Sequence, residues 1–202
     1  MSVLETLDRI QAALQNPVRL ETIGKMAAET IQGHLYDGKG FAPLAPATAA
    51  YRGRGRPLQD TGSLRGSITW NMVDDRTVSV GTAKPHAAIQ NSGGVIRAKK
   101  NWLWIPGPGL RHINRTKDSG YSIRDVLNYF KSQGYRVYRR GRTIGYNGKR
   151  KIRNKDGKLE YEYHTLYYLK KSVEIPARNF FYLSREEINR IAEEAGIDLD
   201  QL

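Results

Sequence analysis

The residues that could do chemistry are few and scattered. His34, His86, His112 and His164 stand singly, with no HExxH, HxH or acid partner at ligand spacing. The chain of 202 residues holds no cysteine, which excludes a thiolate nucleophile, a disulfide scaffold and a cysteine zinc site. Gly66-Ser67 lacks the second glycine of a nucleophile elbow. No GxxxxGK[ST] or GxGxxG loop occurs, and Gly53, Gly55 and Gly62 follow no strand. Asp74-Asp75 is a carboxylate pair, but it sits between two alternating segments where a turn is needed. The expectation is a chain that is not an enzyme, with no catalytic residue, metal, cofactor or small-molecule substrate.

What remains is charge. The net charge is +13, and residues 97–171 alone hold 20 Lys/Arg against 5 Asp/Glu. The rest holds 13 against 15, so the whole excess belongs to one segment, which also carries nine of the twelve tyrosines. Arg136, Arg139, Arg140, Arg142, Lys149, Arg150, Lys151, Arg153, Lys155 and Lys158 lie on and between short strands among those tyrosines. Cations beside rings suit phosphate and bases. They equally suit an acidic protein surface, or a solvated face. Leu159, Tyr161 and Tyr163 alternate with Glu160, Glu162 and His164, which places the three on one face, as in a core. No RRM, KH or helix-turn-helix signature is present, so sequence-specific reading of nucleic acid is not expected. The exposed arginines of this pattern, Arg139, Arg140, Arg142, Arg150 and Arg153, are the candidate docking residues.

The elements that must position them follow from periodicity. Val3, Leu7, Ile10 and Leu14 predict one helix; Leu20, Ile23, Ala27, Ile31 and Leu35 predict a second, opened by Asn16-Pro17 and closed by Asp37-Gly38. Residues 38–60, with three prolines and four glycines, read as a long loop or docking arm. Arg52, Arg54 and Arg56 alternate with glycine there and are further candidate partner contacts. Asp60 or Thr61 suits the cap of a short turn through Leu64. Ile68, Trp70 and Met72, then Val78 and Val80, predict a hairpin around Asp74-Asp75-Arg76. A short helix is expected over 85–91 and strands near 95–98 and 102–106. Ser122 with Asp125 predicts a capping box, and Ser184 with Glu187 a second one opening the last helix. Turns are expected at Arg140-Gly141, Asn147-Gly148 and Lys155-Asp156-Gly157. The fold class is therefore α+β, an antiparallel sheet flanked by N-terminal and C-terminal helices. Residues 1–96 plus 172–202 form the core, and 97–171 form a basic, β-rich insertion. The apolar runs are too short for a membrane span, and the acid-bearing N-terminus is not that of a secretory signal.

Five segments then occur in a telling order. They are Gly40-Phe41-Ala42-Pro43-Leu44 with Thr48; Pro57 to Ile68, containing Asp60-Thr61-Gly62-Ser63-Leu64; Val78-Ser79-Val80-Gly81-Thr82; His86 to Gly94, containing Gln90-Asn91-Ser92-Gly93-Gly94; and Ile175-Pro176-Ala177-Arg178-Asn179-Phe180-Phe181-Tyr182-Leu183-Ser184. In that order they resemble the tailed-bacteriophage virion morphogenesis, or tail completion, family. Phe41, His86 and Asn179 depart from its usual Trp, Tyr and Pro. The resemblance covers residues 1–96 and 172–202. It implies an antiparallel sheet flanked by helices and a structural role at the head–tail junction: terminating the tail tube and joining it to the neck. It also implies a homo-oligomeric, typically hexameric, ring assembled in the host cytoplasm. Tail-tube and neck proteins would be its partners, and packaged DNA a passing contact. Arg178, after a proline and beside Phe180-Phe181, is expected to pair with an acid of its own or the next subunit. The competing expectation is a non-specific nucleic-acid-binding protein working through 97–171.

Overall fold

A computed structural model describes residues 17–52, 55–111, 122–153 and 155–197. The helix expected over Val3–Leu14, and the candidates Arg54 and His112, lie outside the described residues. The fold is α+β, and among the described residues the strand pairing is antiparallel and distributed over three sheets rather than one. The chain divides into two compact units. The first comprises Met1–Ala42, Arg56–Gly93 and Pro176–Leu202; the second comprises Pro43–Gly55 and Gly94–Ile175.

The first unit is built on helix α1 (Pro17–Asp37), whose stripe Leu20, Ala27, Ala28, Ile31 and Leu35 is buried. Proline suits the first helical position because its missing N–H would have no partner there. Gly38 closes the helix at φ +61° and donates its N–H to the His34 carbonyl at 2.9 Å. The expected hairpin forms from β1 (Thr69–Met72) and β2 (Val78–Gly81), with Trp70 opposite Val80. Its turn is held by the Arg76 N–H donating to Asp74 Oδ1 at 2.8 Å. That bond is the main reason the Asp74 carboxyl lies below its ordinary pKa, as the turn role of this acid requires. Gly24 lets the hairpin meet α1: a Cβ there would lie 2.5 Å from Val78 Cγ2 and 2.8 Å from Trp70 Cε3. Thr61 caps the turn before the hairpin as expected: its Oγ1 accepts the Ser63 N–H at 3.3 Å, and a 3-10 turn follows over Arg65–Ser67. Beyond the short helix over Ala87–Ser92, the last helix (Arg185–Glu194) opens with the expected reciprocal capping box of Ser184 and Glu187. Phe180, Leu35, Ile31, Ile68, Ala28, Leu64 and Ala87 form one core.

The second unit contains a helix in what the sequence presents as arm, α2 (Pro46–Arg52). Proline at its first position nucleates it, and the Ala-Thr-Ala-Ala run that follows continues it. Naming in chain order, α3 is Ala87–Ser92, α4 is Ile123–Ser132 and α5 is Arg185–Glu194. Strand β3 (Gly94–Arg97) pairs with β8 (Ser172–Ile175), Gly94 opposite Ile175; the sequence pattern did not reveal β8. A second, four-stranded sheet has the order β4-β7-β6-β5, from Leu103–Pro106, Leu159–Lys170, Thr143–Arg153 and Val137–Arg140. The capping box of Ser122 and Asp125 opens α4, and Phe130 on it packs with Leu110, Leu166 and Tyr167.

Two expectations are corrected within this sheet. Asn147-Gly148 is not a turn but part of β6. Gly148 instead permits close approach to β7, since a Cβ there would lie 2.5 Å from His164 Nε2. The register slips between Asn147 opposite Tyr163 and Lys151 opposite Tyr161, a bulge with two extra residues on β6. Nor do Leu159 and Tyr161 face a core: they are 61% and 49% exposed. Core burial on β7 falls at Leu166, Tyr167 and Leu169, beyond the alternating stretch. The expected turns at Gly141 (φ +59°) and Gly157 (φ +76°) are present.

Candidate docking surfaces

Arg139, Arg140, Arg142, Arg150 and Arg153 are all exposed, and they form two groups at opposite ends of β6. The first group surrounds the β5–β6 turn. Arg139 donates its Nε to the Gly141 carbonyl at 2.8 Å, which fixes the stem of the side chain. Its guanidinium then lies 5.6 Å from the Trp102 ring centre, and Lys171 Nζ lies 4.3 Å from the same ring. Arg140 lies 5.5 Å from the Tyr163 ring, whose hydroxyl is 3.2 Å from Thr143 Oγ1. Tyr138 packs on Tyr163 at 5.5 Å and donates to Asn147 Oδ1 at 2.7 Å. Rings thus hold cations in place at low entropic cost and leave their charge facing water. The sequence pattern singles out neither Trp102 nor Lys171 for this surface, and it places Tyr163 on a core-like face.

The second group lies on the distal part of the β6–β7 hairpin. Lys151 Nζ sits 5.2 Å from the Tyr161 ring, and Arg153 donates to the Gly157 carbonyl at 2.9 Å. Ile152 (41% exposed), Leu159 and Tyr161 accompany these cations, so the hairpin end is both basic and apolar. Deeper in the sheet, burial raises the Tyr146 and Tyr167 phenols above their ordinary pKa, so these rings stay neutral.

The remaining candidates are placed differently. Arg52 ends α2 and Arg56 is exposed at the start of the following segment. Arg178 is only 7% exposed. Its Nε donates to the Ala42 carbonyl at 2.9 Å and its Nη1 to Gln90 Oε1 at 3.1 Å, while its backbone N–H meets the Gln90 and Asn91 carbonyls at 3.1 Å. Burial pulls the guanidinium pKa down. Arg178 therefore ties three segments of its own unit together. Asn91 completes this knot by accepting the Phe180 and Phe181 N–H groups at 3.0 and 2.9 Å.

An acidic groove of about 520 Å³ runs between α1 and α5. Glu29, Asp37, Glu187 and Glu194 line it, with His34 and Arg190. Among the described residues no group of three or more His, Asp or Glu could hold a metal ion, and no helix is long and apolar enough to cross a membrane.

The model of the phage virion morphogenesis family matches residues 2–129, more than half of the chain. The chain belongs to the phage virion morphogenesis family. No curated protein and no solved structure matched it. Membership assigns this virion morphogenesis protein a part in building the phage particle, and so an association with the virion. The match takes in α1, the β1–β2 hairpin, β3, β4 and most of α4. Both arginine groups of this virion morphogenesis protein lie beyond it, as does the segment Ile175–Ser184.

Proposed function

We propose that the protein is a subunit of a homo-oligomeric, hexameric ring at the head–tail junction, where it terminates the tail tube and joins it to the neck. The observation that carries this reading is the β1–β2 sheet. It has only two strands, so each presents an unpaired edge among the described residues. Helix α1 covers a face of this hairpin but not its edges, and free edges seek further strands. A closed ring supplies a neighbour to every copy and leaves no edge over. The basic β5–β6 turn then serves as the contact for acidic faces of tail-tube or neck proteins, with packaged DNA passing through the channel. The ring assembles in the host cytoplasm and remains in the virion. Light scattering of the purified protein tests this directly. A mass six times 22.9 kDa, with rings in negative stain, is expected. A chain that stays monomeric at every concentration overturns it.

One observation favours a second reading, non-specific nucleic-acid binding: the exposed Tyr161 ring with Lys151 beside it is a stacking platform next to a phosphate contact. That reading requires the monomer to bind DNA with affinity falling steeply with salt.

A further inference from the structure

We infer that the acidic α1–α5 groove of one copy receives the basic end of the β6–β7 hairpin of a second copy. The inference rests on the ring reading above and specifies one of its contacts. Charge is divided between the units: the first carries 11 Lys/Arg against 14 Asp/Glu, the second 22 against 6. Two of the four acids of the groove stand where helix electrostatics disfavour them. Asp37 is the last residue of α1 and Glu194 the last of α5, both at the negative end of a helix dipole. The last turn of α5 holds no cation to compensate. A cationic segment from outside would relieve that repulsion.

The hairpin end has the matching chemistry. Arg150, Lys151, Arg153 and Lys155 cluster there, and Ile152 and Leu159 expose aliphatic surface that nucleic acid would leave uncovered. The groove has an aromatic neighbour to meet it: His34 in its lining stacks on Tyr182 at 4.3 Å, and that tyrosine is 46% exposed. A second copy is the occupant that supplies this hairpin at every position of a ring. It also lets a strongly cationic chain assemble by placing its acids against its neighbour's cations.

The test is a charge swap read by light scattering. Glu29→Lys with Glu194→Lys should raise the concentration for half-assembly by about a hundredfold, as should Arg150→Glu with Arg153→Glu. The chain bearing all four changes should assemble again. Because the protein has no cysteine, Lys155→Cys and Glu194→Cys chains can also be mixed and joined by a bis-maleimide, with dimer expected only in the mixture. Wild-type rings with no effect of the groove reversal overturn this inference and leave the ring reading intact. So does a groove reversal that spares the ring but blocks joining to another virion protein. A wild-type chain that never assembles overturns both.

Discussion

His34 Nε2 lies 2.7 Å from Glu187 Oε1, while its Nδ1 lies 3.0 Å from the Phe180 carbonyl. Both partners are acceptors, so the ring satisfies both only when each nitrogen bears a proton. Glu187 also accepts the Ser184 N–H at 2.7 Å, so one carboxylate joins α1 to the cap of α5. Desolvation works against its charge, but the Ser184 backbone, His34 and the Ser184 hydroxyl outweigh it and lower its pKa below 4.5. A depressed carboxyl pKa contributes stability above the unfolded value, lost as pH falls through the folded one. Glu187→Gln should cost about 1 kcal/mol near neutrality, or about 2–4 °C in Tm for a chain of this size. Thermal melts of the two proteins should converge below about pH 3. A constant gap down to that pH would show that the carboxylate charge is not the source.

Two glycines of α1 should respond oppositely to the same change. Gly24→Ala drives a methyl into Val78 and Trp70, whereas nothing lies within 4 Å of a Cβ at Gly33. Gly33→Ala should gain about 0.5–1 kcal/mol from helix propensity. Gly24→Ala should lose about 1–3 kcal/mol from overpacking. Denaturant titration of both variants decides the matter, and equal shifts would remove the close approach as the explanation.

Arg178→Ala should lower stability by about 1–3 kcal/mol, because it strands the Ala42 carbonyl and Gln90 Oε1. Arg178→Lys should recover only part of this, since an ammonium cannot reproduce the planar fork. Differential scanning calorimetry of both variants is the measurement. Full recovery by lysine would mean that charge alone matters.

Reversing Arg139, Arg140 and Arg142 together to Glu should abolish joining of heads to tails while ring mass stays unchanged. In vitro complementation with purified heads and tails reads this. If the variant joins normally but the particles lose DNA retention, the turn faces the channel rather than a protein.

Local signals in the sequence were faithful where the structure is local. The boxes at Ser122–Asp125 and Ser184–Glu187, the Asp74 turn and the Pro17 helix start each depend on residues within a few positions. Asn147-Gly148 misled because its usual turn preference lost to strand pairing that needs Gly148 beneath His164, a contact 16 residues away. The alternation around Tyr161 marks a strand correctly but not burial, since both faces of the hairpin end meet water. At the docking surface the arginines were legible by charge, but not their fixing by Trp102 and Tyr163, which the sheet brings from distant sequence. Arg178 is the sharpest case. Its partners lie 136 and 88 positions away, and no spacing rule reaches that far.

The pairing of Gly94 with Ile175 has a consequence for the history of the chain. The 80 residues between them leave and return at neighbouring points, so the segment is a closed excursion, like a bead tied in at a single knot. A change in its length alters no distance between those two points, provided the piece still seats α2, which belongs to the same unit. Recombination that exchanges this piece changes the basic strands in one step and leaves the scaffold of the first unit as it was.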